Sequence, residues 1–137
     1  MAGWNIELLN WKDRAPTLAF DNTGFYISGH SQDFVHYDFN SSPVWTFHFE
    51  KQDTKIEHPP TLSTKSVYFF TKDGAFYSLS KQSGHVQWRT SLKGEFSPLA
   101  LHAGFLFFLQ NTGEKNYVGK MHAKSGQMAK KLELPST

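Results

Sequence analysis

The feature that most constrains this 137-residue chain is a pattern of short apolar runs that returns about every 40 residues. Each copy opens with a proline-led run, and Pro16, Pro60 and Pro98 lie 44 and 38 residues apart. Three further runs, rich in aromatic residues, follow each proline-led run. The runs are 15–18, 25–27, 34–39 and 44–49 in the first copy, 59–62, 67–70, 75–79 and 86–92 in the second, and 97–100, 105–108, 116–121 and 128–134 in the third. Internal repeats of this length indicate a fold built from stacked modules.

The runs are predicted to be β-strands. Phe, Tyr and Trp make up 16% of the chain and favour pleated, half-buried surfaces, and no apolar stripe of helical period extends over a dozen residues. Asp73-Gly74 lies between two runs and is typical of a tight hairpin turn. Ser-Gly pairs at 83–84 and 125–126 precede the last run of the second and third copies and also favour turns. Four short strands per unit of about 40 residues predict the antiparallel blades of a β-propeller.

The three copies are predicted to form one all-β domain over residues 1–137, with blades at about 14–56, 57–96 and 97–137. Residues 3–9 resemble the last strand of a blade, because Trp4-Asn-Ile-Glu-Leu parallels Trp88-Arg-Thr-Ser-Leu. We therefore expect an additional outer strand near the N-terminus. Closed propellers have about four to eight blades, so three would leave an incomplete ring with two open faces unless copies of the chain associate.

The second copy resembles the repeat of PQQ-like (pyrroloquinoline-quinone-type) β-propellers. In that family the signature holds alanine, aspartate, threonine, glycine and tryptophan at set spacing. The corresponding residues here are Ser78, Ser80, Ser83, Gly84 and Trp88. The glycine and the tryptophan match, and small polar residues fill the other three slots.

The other two copies keep less of this signature. The first keeps Asp38 and Trp45 but is one residue shorter, with Pro43 near the glycine slot, and the third keeps Gly126 but has Lys130 in the tryptophan slot. In this family the tryptophan docks on the neighbouring blade. The resemblance therefore implies that the blade-docking residues are Trp4, Trp45, Trp88, Gly84 and Gly126.

The resemblance does not predict an enzyme. Dehydrogenases of this family that bind the quinone use a closed eight-bladed ring with a funnel of acidic, calcium-coordinating residues, whereas the 12 acidic residues of this chain are scattered singly. We expect no catalytic residues, no cofactor and no metal. The resemblance alone favours an extracytoplasmic compartment, the periplasm or a lumen, and the sequence shows no signal peptide.

One histidine-containing group is a candidate metal site. His36 with Asp38, and His48 with Glu50, could face each other on paired strands and offer ligands that suit zinc. The alternation of polar and apolar residues favours another interpretation, in which this polar set is the solvated side of a hairpin.

Bulk properties exclude several function classes. The net charge is only +2, from 14 basic and 12 acidic residues, so nothing indicates a nucleic-acid surface. No run approaches eighteen apolar residues, so no membrane insertion is expected. The chain contains no cysteine, no Gly-x-Ser-x-Gly elbow and no glycine-rich phosphate loop.

The function class that these observations leave is a non-catalytic scaffold for protein–protein contact. We expect a protein partner, or a second copy of the chain, to dock on the open blade faces. Trp11 and Arg14 lie in a connection and are candidate partner contacts. The alternative is an oligomeric, lectin-like carbohydrate-binding propeller. The equivalent loops 31–33, 72–74 and 112–114 differ in sequence, which counts against repeated sugar sites.

Overall fold

The computed structural model describes residues 16–29, 33–51 and 54–135, and all regular structure in these ranges is β-strand. The strands form three antiparallel sheets, which we call blades 1, 2 and 3. Blade 1 contains β1 (Thr17–Asp21), β2 (Gly24–Ser28), β3 (Asp33–Tyr37) and β4 (Pro43–His48). Blade 2 contains β5 (Thr61–Leu62), β6 (Ser66–Phe70), β7 (Ala75–Ser80) and β8 (Val86–Ser91). Blade 3 contains β10 (Ala100–His102), β11 (Phe105–Asn111), β12 (Asn116–His122) and β13 (Met128–Glu133), and β9 (Glu95–Phe96) pairs with β11.

The prediction of an all-β, propeller-type architecture is confirmed. Within each blade, strands that are neighbours in sequence are also neighbours in the sheet, and the three sheets form an open series. The predicted strand at residues 3–9 lies outside the described residues.

In the described parts of the chain, no helix has the length and apolar character needed to cross a membrane.

Blades 1 and 2 pack face to face through a core of aromatic and aliphatic side chains. Phe34 is fully buried there, and its ring meets that of Phe69 edge-on with the centroids 5.0 Å apart. Burying an aromatic side chain of this kind contributes about 1.5–3 kcal/mol. The buried members of this core are Tyr26, Phe34, Trp45, Ile56, Val67, Phe69, Ala75, Tyr77 and Leu79.

A second core joins blades 2 and 3. Its buried members are Tyr68, Phe70, Phe76, Trp88, Leu106, Phe108, Met121 and Ala123. Strand β6 contributes to both cores, with Val67 and Phe69 on one side and Tyr68 and Phe70 on the other. A strand that is buried on both faces has a continuous apolar run in its sequence, and residues 67–70 have this pattern.

Candidate functional site

Equivalent positions on the three blades form cross-strand trios that can be compared directly. We call the face of each blade that carries its trio the forward face. The trios are Tyr26–His36–Trp45 in blade 1, Tyr68–Ser78–Trp88 in blade 2 and Phe107–Lys120–Lys130 in blade 3. The forward faces of blades 1 and 2 are buried against the next blade, because their tryptophans belong to the two cores. Within the part of the chain that the structure describes, no further blade covers the forward face of blade 3.

Trp45 reaches from blade 1 to the β7–β8 turn of blade 2. Its indole Nε1 donates a hydrogen bond to the carbonyl oxygen of Lys81 at 2.7 Å. The ring covers Gly84, which adopts a φ of +75°, and a Cβ added to this glycine would lie 2.6 Å from the ring atom Cδ2. Glycine is required there for two reasons, the left-handed backbone and the space that the indole occupies.

Trp88 repeats this contact one blade further on. Its Nε1 donates to the carbonyl oxygen of Ala123 at 2.7 Å, and its ring covers Gly126, which has a φ of +76°. A Cβ on Gly126 would lie 2.5 Å from the ring atom Cε3. Each of these two junctions is therefore one indole seated on one glycine of the following blade.

Neither end of the described series can repeat this contact. Counting four residues back from Trp45, as Gly84 precedes Trp88, leads to Ser41, which has a φ of +65°. By this count the residue of blade 1 that is equivalent to Gly84 is Ser41, two residues before Pro43, and unlike glycine it carries a Cβ. At the other end, Lys130 replaces the tryptophan.

The forward face of blade 3 is apolar at one end and basic at the other. Leu109, Val118 and Leu132 lie on adjacent strands in register, and the two leucines are 52% and 55% exposed. Lys120 stands opposite Lys130, and its Nζ lies 4.1 Å from the centroid of the Phe105 ring. Among the ion pairs of the described residues, none involves Lys120 or Lys130.

A cluster of polar side chains lies at the junction of blades 1 and 2. Lys81 Nζ donates to Asp21 Oδ2 at 2.6 Å and also to the carbonyl oxygen of Ser63. Burial opposes ionisation of Asp21, but hydrogen bonds from Lys81 and Thr23 outweigh it and hold the pKa of this carboxyl at about 2. Asp21 and Lys81 are 60 residues apart in sequence, so no local pattern indicated that they meet.

The structure corrects the interpretation of His36. The expectation placed this residue on the solvated side of a hairpin, opposite the face of Trp45, but His36 is 3% exposed and pairs directly with Trp45. An irregularity in the β3–β4 register, between His36 and Tyr37, breaks the strict alternation on which the expectation depended. The imidazole stacks on Tyr26 with the ring centroids 4.1 Å apart, and burial lowers the pKa of His36, which favours the neutral ring.

The four residues weighed as a metal site do not meet. The Asp38 carboxylate accepts hydrogen bonds from the backbone N–H groups of Asn40 and Ser42 in its own turn. His48 Nδ1 lies 2.8 Å from Asp33 Oδ1, and Glu50 is exposed. Throughout the described residues, no group of three or more His, Asp or Glu side chains is arranged to hold a metal ion.

Three of the residues predicted from the sequence lie outside the described ranges. These are Trp4 among the blade-docking residues and the candidate partner contacts Trp11 and Arg14.

Comparison with known proteins supports the fold. No protein-family model matches the chain, and no curated protein matches it. Among solved structures, BamB from Moraxella catarrhalis superposes with a TM-score of 0.66 at 18% identity, over 85% of this chain and 35% of that one. Quinohemoprotein alcohol dehydrogenase from Comamonas testosteroni gives 0.67 at 16% identity, over 85% and 20%. The computationally designed Ika4 protein gives 0.65 at 15%, over 93% and 78%.

These likenesses show the fold alone, because all three identities are low. The chain spans about a third of BamB and a fifth of the dehydrogenase. The architecture that it shares with these proteins is a series of antiparallel β-propeller blades.

A similar structure is a europium-containing methanol dehydrogenase, with a TM-score of 0.66 at 10% identity. Three of the described carboxylates are engaged by partners within the chain other than a second carboxylate. Asp21 is bound to Lys81, Asp38 caps its own turn and Glu133 pairs with Lys115.

Proposed function

We propose that this chain is a non-catalytic scaffold for protein–protein contact, and that the forward face of blade 3 is its docking surface. A single observation carries the proposal: a face that is buried against the next blade in blades 1 and 2 is exposed in blade 3 and bears different residues. Where the buried faces carry a tryptophan, this one carries Lys130.

The apolar part of the face supplies the driving force for docking. Leu109 and Leu132 flank Val118 across three strands, which gives a continuous apolar strip. Exposed strips of this kind mark sites of protein contact, and burying apolar area gains about 25 cal/mol for each Å². Two leucines that are half exposed therefore contribute to association only when a partner covers them.

The basic part of the face selects the partner. Lys120 and Lys130 lie side by side on β12 and β13, and neither has a carboxylate partner among the described residues. An approaching surface must supply negative charge opposite this pair, since burying like charges without compensation is costly. The partner is therefore an apolar protein segment that carries Asp or Glu side chains.

A second copy of the chain fits this face less well. Head-to-tail stacking would place Lys130 of one copy on the Ser41 turn of the next, where the internal junctions have an indole on a glycine. Stacking the forward faces of two copies would bring Lys120 and Lys130 of one copy near the same two lysines of the other. Both arrangements lack the contact that holds the described blades together.

The test uses labelled peptide probes and the full 137-residue chain. One peptide alternates glutamate and leucine, and the other alternates lysine and leucine, so that they match in apolar content and differ in charge. Fluorescence anisotropy measures binding to the wild type, to Leu132→Gln and to the double variant Lys120→Gln/Lys130→Gln. Leu18→Gln is the matched control, because Leu18 is 53% exposed but lies on blade 1.

We expect the acidic peptide to bind and the basic peptide not to bind. Removing an exposed leucine or the lysine pair should weaken binding by about tenfold, whereas Leu18→Gln should leave it unchanged. Light scattering establishes the mass of the chain in the same buffer. A dimer that Leu132→Gln dissociates would make the partner a second copy, and equal binding of both peptides would contradict the charge argument. A monomer that binds neither peptide nor an apolar dye would overturn the proposal.

A further inference from the structure

A groove of about 600 Å³ opens at the junction of blades 1 and 2, at the end that carries the β1–β2, β5–β6 and β7–β8 turns. Thr23, His36 and Val44 line it from blade 1. Lys65, Lys81 and Gln87 are among the residues that line it from blade 2. This volume lies in the range of small-molecule sites.

His36, which lines the groove, has a buried ring nitrogen with no hydrogen-bond partner among the described residues. The Thr23 hydroxyl donates its only hydrogen to Asp21 Oδ1 at 2.6 Å. Its oxygen can then only accept, from the Tyr26 hydroxyl at 3.3 Å and from His36 Nε2 at 3.5 Å. Since Nε2 carries the proton of the neutral imidazole, Nδ1 is a bare acceptor, and it has no hydrogen-bond partner among the described residues.

Lys81 and Gln87 supply donors that are held in place. The Lys81 side chain is 11% exposed, and two of its three N–H groups are used by Asp21 and by the Ser63 carbonyl. The Gln87 Oε1 accepts hydrogen bonds from two serine hydroxyls, those of Ser66 and Ser78. This orients the amide, and its NH₂ group is what remains to donate to another molecule.

Both charged side chains that line the groove are lysines, Lys65 and Lys81. Lys65 is exposed and forms no ion pair among the described residues, and the single carboxylate of the cluster, Asp21, neutralises only Lys81. The fold does not require these residues. At the junction of blades 2 and 3, Ala123 takes the place of Lys81 as the carbonyl that receives the indole, and Gly104 takes the place of Lys65 in the preceding turn.

We infer that this groove binds a small organic anion that carries both a carboxylate and hydroxyl groups, of the chemical class of the sugar acids. The carboxylate is attracted by Lys65, ring or hydroxyl oxygens accept from Lys81 and Gln87, and a hydroxyl donates to His36 Nδ1. The site occurs once in the described series, unlike the repeated sites of a lectin. It is separate from the forward face of blade 3, and its occupation does not depend on protein docking.

The experiment is isothermal titration calorimetry on the full chain with three probes. Sodium glucuronate offers both kinds of group, glucose offers hydroxyls alone, and sodium acetate offers a carboxylate alone. We expect saturable binding of glucuronate at one site, and binding of glucose and acetate that is weaker by about tenfold or more.

Two variants separate the contributions. Lys65→Gln should reduce glucuronate affinity to that of glucose, and Lys124→Gln is the matched control, since it removes another exposed lysine from a turn of blade 3. His36→Phe keeps the stacking on Tyr26 and removes the acceptor, so glucuronate should bind no better than acetate. If His36→Phe does not fold, the comparison of Lys65→Gln with Lys124→Gln still tests the inference. Absence of saturable glucuronate binding, or equal losses in Lys65→Gln and Lys124→Gln, would overturn the inference.

Discussion

Replacing Gly126 by alanine tests the indole-on-glycine contact at the junction of blades 2 and 3. The glycine has a φ of +76°, and a new Cβ would lie 2.5 and 2.6 Å from two atoms of the Trp88 ring. An L-residue in the left-handed region costs about 1 kcal/mol. Displacing a packed ring costs about 1–3 kcal/mol more, and a shift of Trp88 also lengthens its hydrogen bond to Ala123. The total loss of unfolding free energy should be about 3 kcal/mol.

Gly104→Ala is the matched control for this prediction. Gly104 has a φ of +83°, but a Cβ added there would meet no heavy atom within 4 Å. Gly104→Ala therefore has the backbone cost of a positive φ but no steric clash, and its free energy of unfolding should fall by about 1 kcal/mol. The difference between the two variants, about 2 kcal/mol, measures the contact of the indole with the following blade.

Urea unfolding, followed by tryptophan fluorescence and by far-ultraviolet circular dichroism, measures both losses. With a slope of about 1–3 kcal/mol per molar urea, a difference of 2 kcal/mol separates the two midpoints by about 1 M. Equal midpoint shifts in Gly126→Ala and Gly104→Ala would show that the positive φ alone costs stability. The ring contact would then not hold the two blades together.

Two further predictions concern the junctions. Because the folded pKa of Asp21 is about 2, below its ordinary value, its interactions with Lys81 and Thr23 should together contribute about 2 kcal/mol above pH 4 and lose this contribution as the pH falls from about 4 to 2. Asp21→Asn should start less stable at neutral pH and lose less on acidification, as urea midpoints across this pH range would show; parallel curves would contradict the pairing. Trp45→Phe and Trp88→Phe keep a ring but remove the hydrogen bond to the next blade, and each should cost about 2 kcal/mol in urea unfolding. A loss in only one of them would mean that the two junctions are not equivalent.

Much of the fold could be predicted from the sequence, because its signals are local. The four runs of each copy appear as strands within one or two residues of the expected positions in most cases, as with 86–92 against Val86–Ser91. Turn glycines and β-favouring aromatics act within a few residues of one another, so a short window contains the physical cause. The sequence also placed Gly84 and Trp88 at matching slots of the repeat. Counting four residues back from Trp45 would have located Ser41 as the residue equivalent to Gly84.

The candidate site depended on the tertiary structure. His36 shares a face with Trp45 because Val44 is an extra residue in β4, and alternation along one strand cannot reveal a shift that depends on the pairing of two. Asp21 and Lys81 meet only when two blades stack, and the stacking is a sum of many weak apolar contacts.

The sequence by itself determined the repeat, the strands and the turns of this protein, because each follows from conformational preferences that a few neighbouring residues decide. Only the tertiary structure decided which faces are covered, which of them remains open at blade 3, and which polar groups share the groove between blades 1 and 2. Those outcomes depend on which surfaces lose contact with water, and that is a property of the assembled sheets.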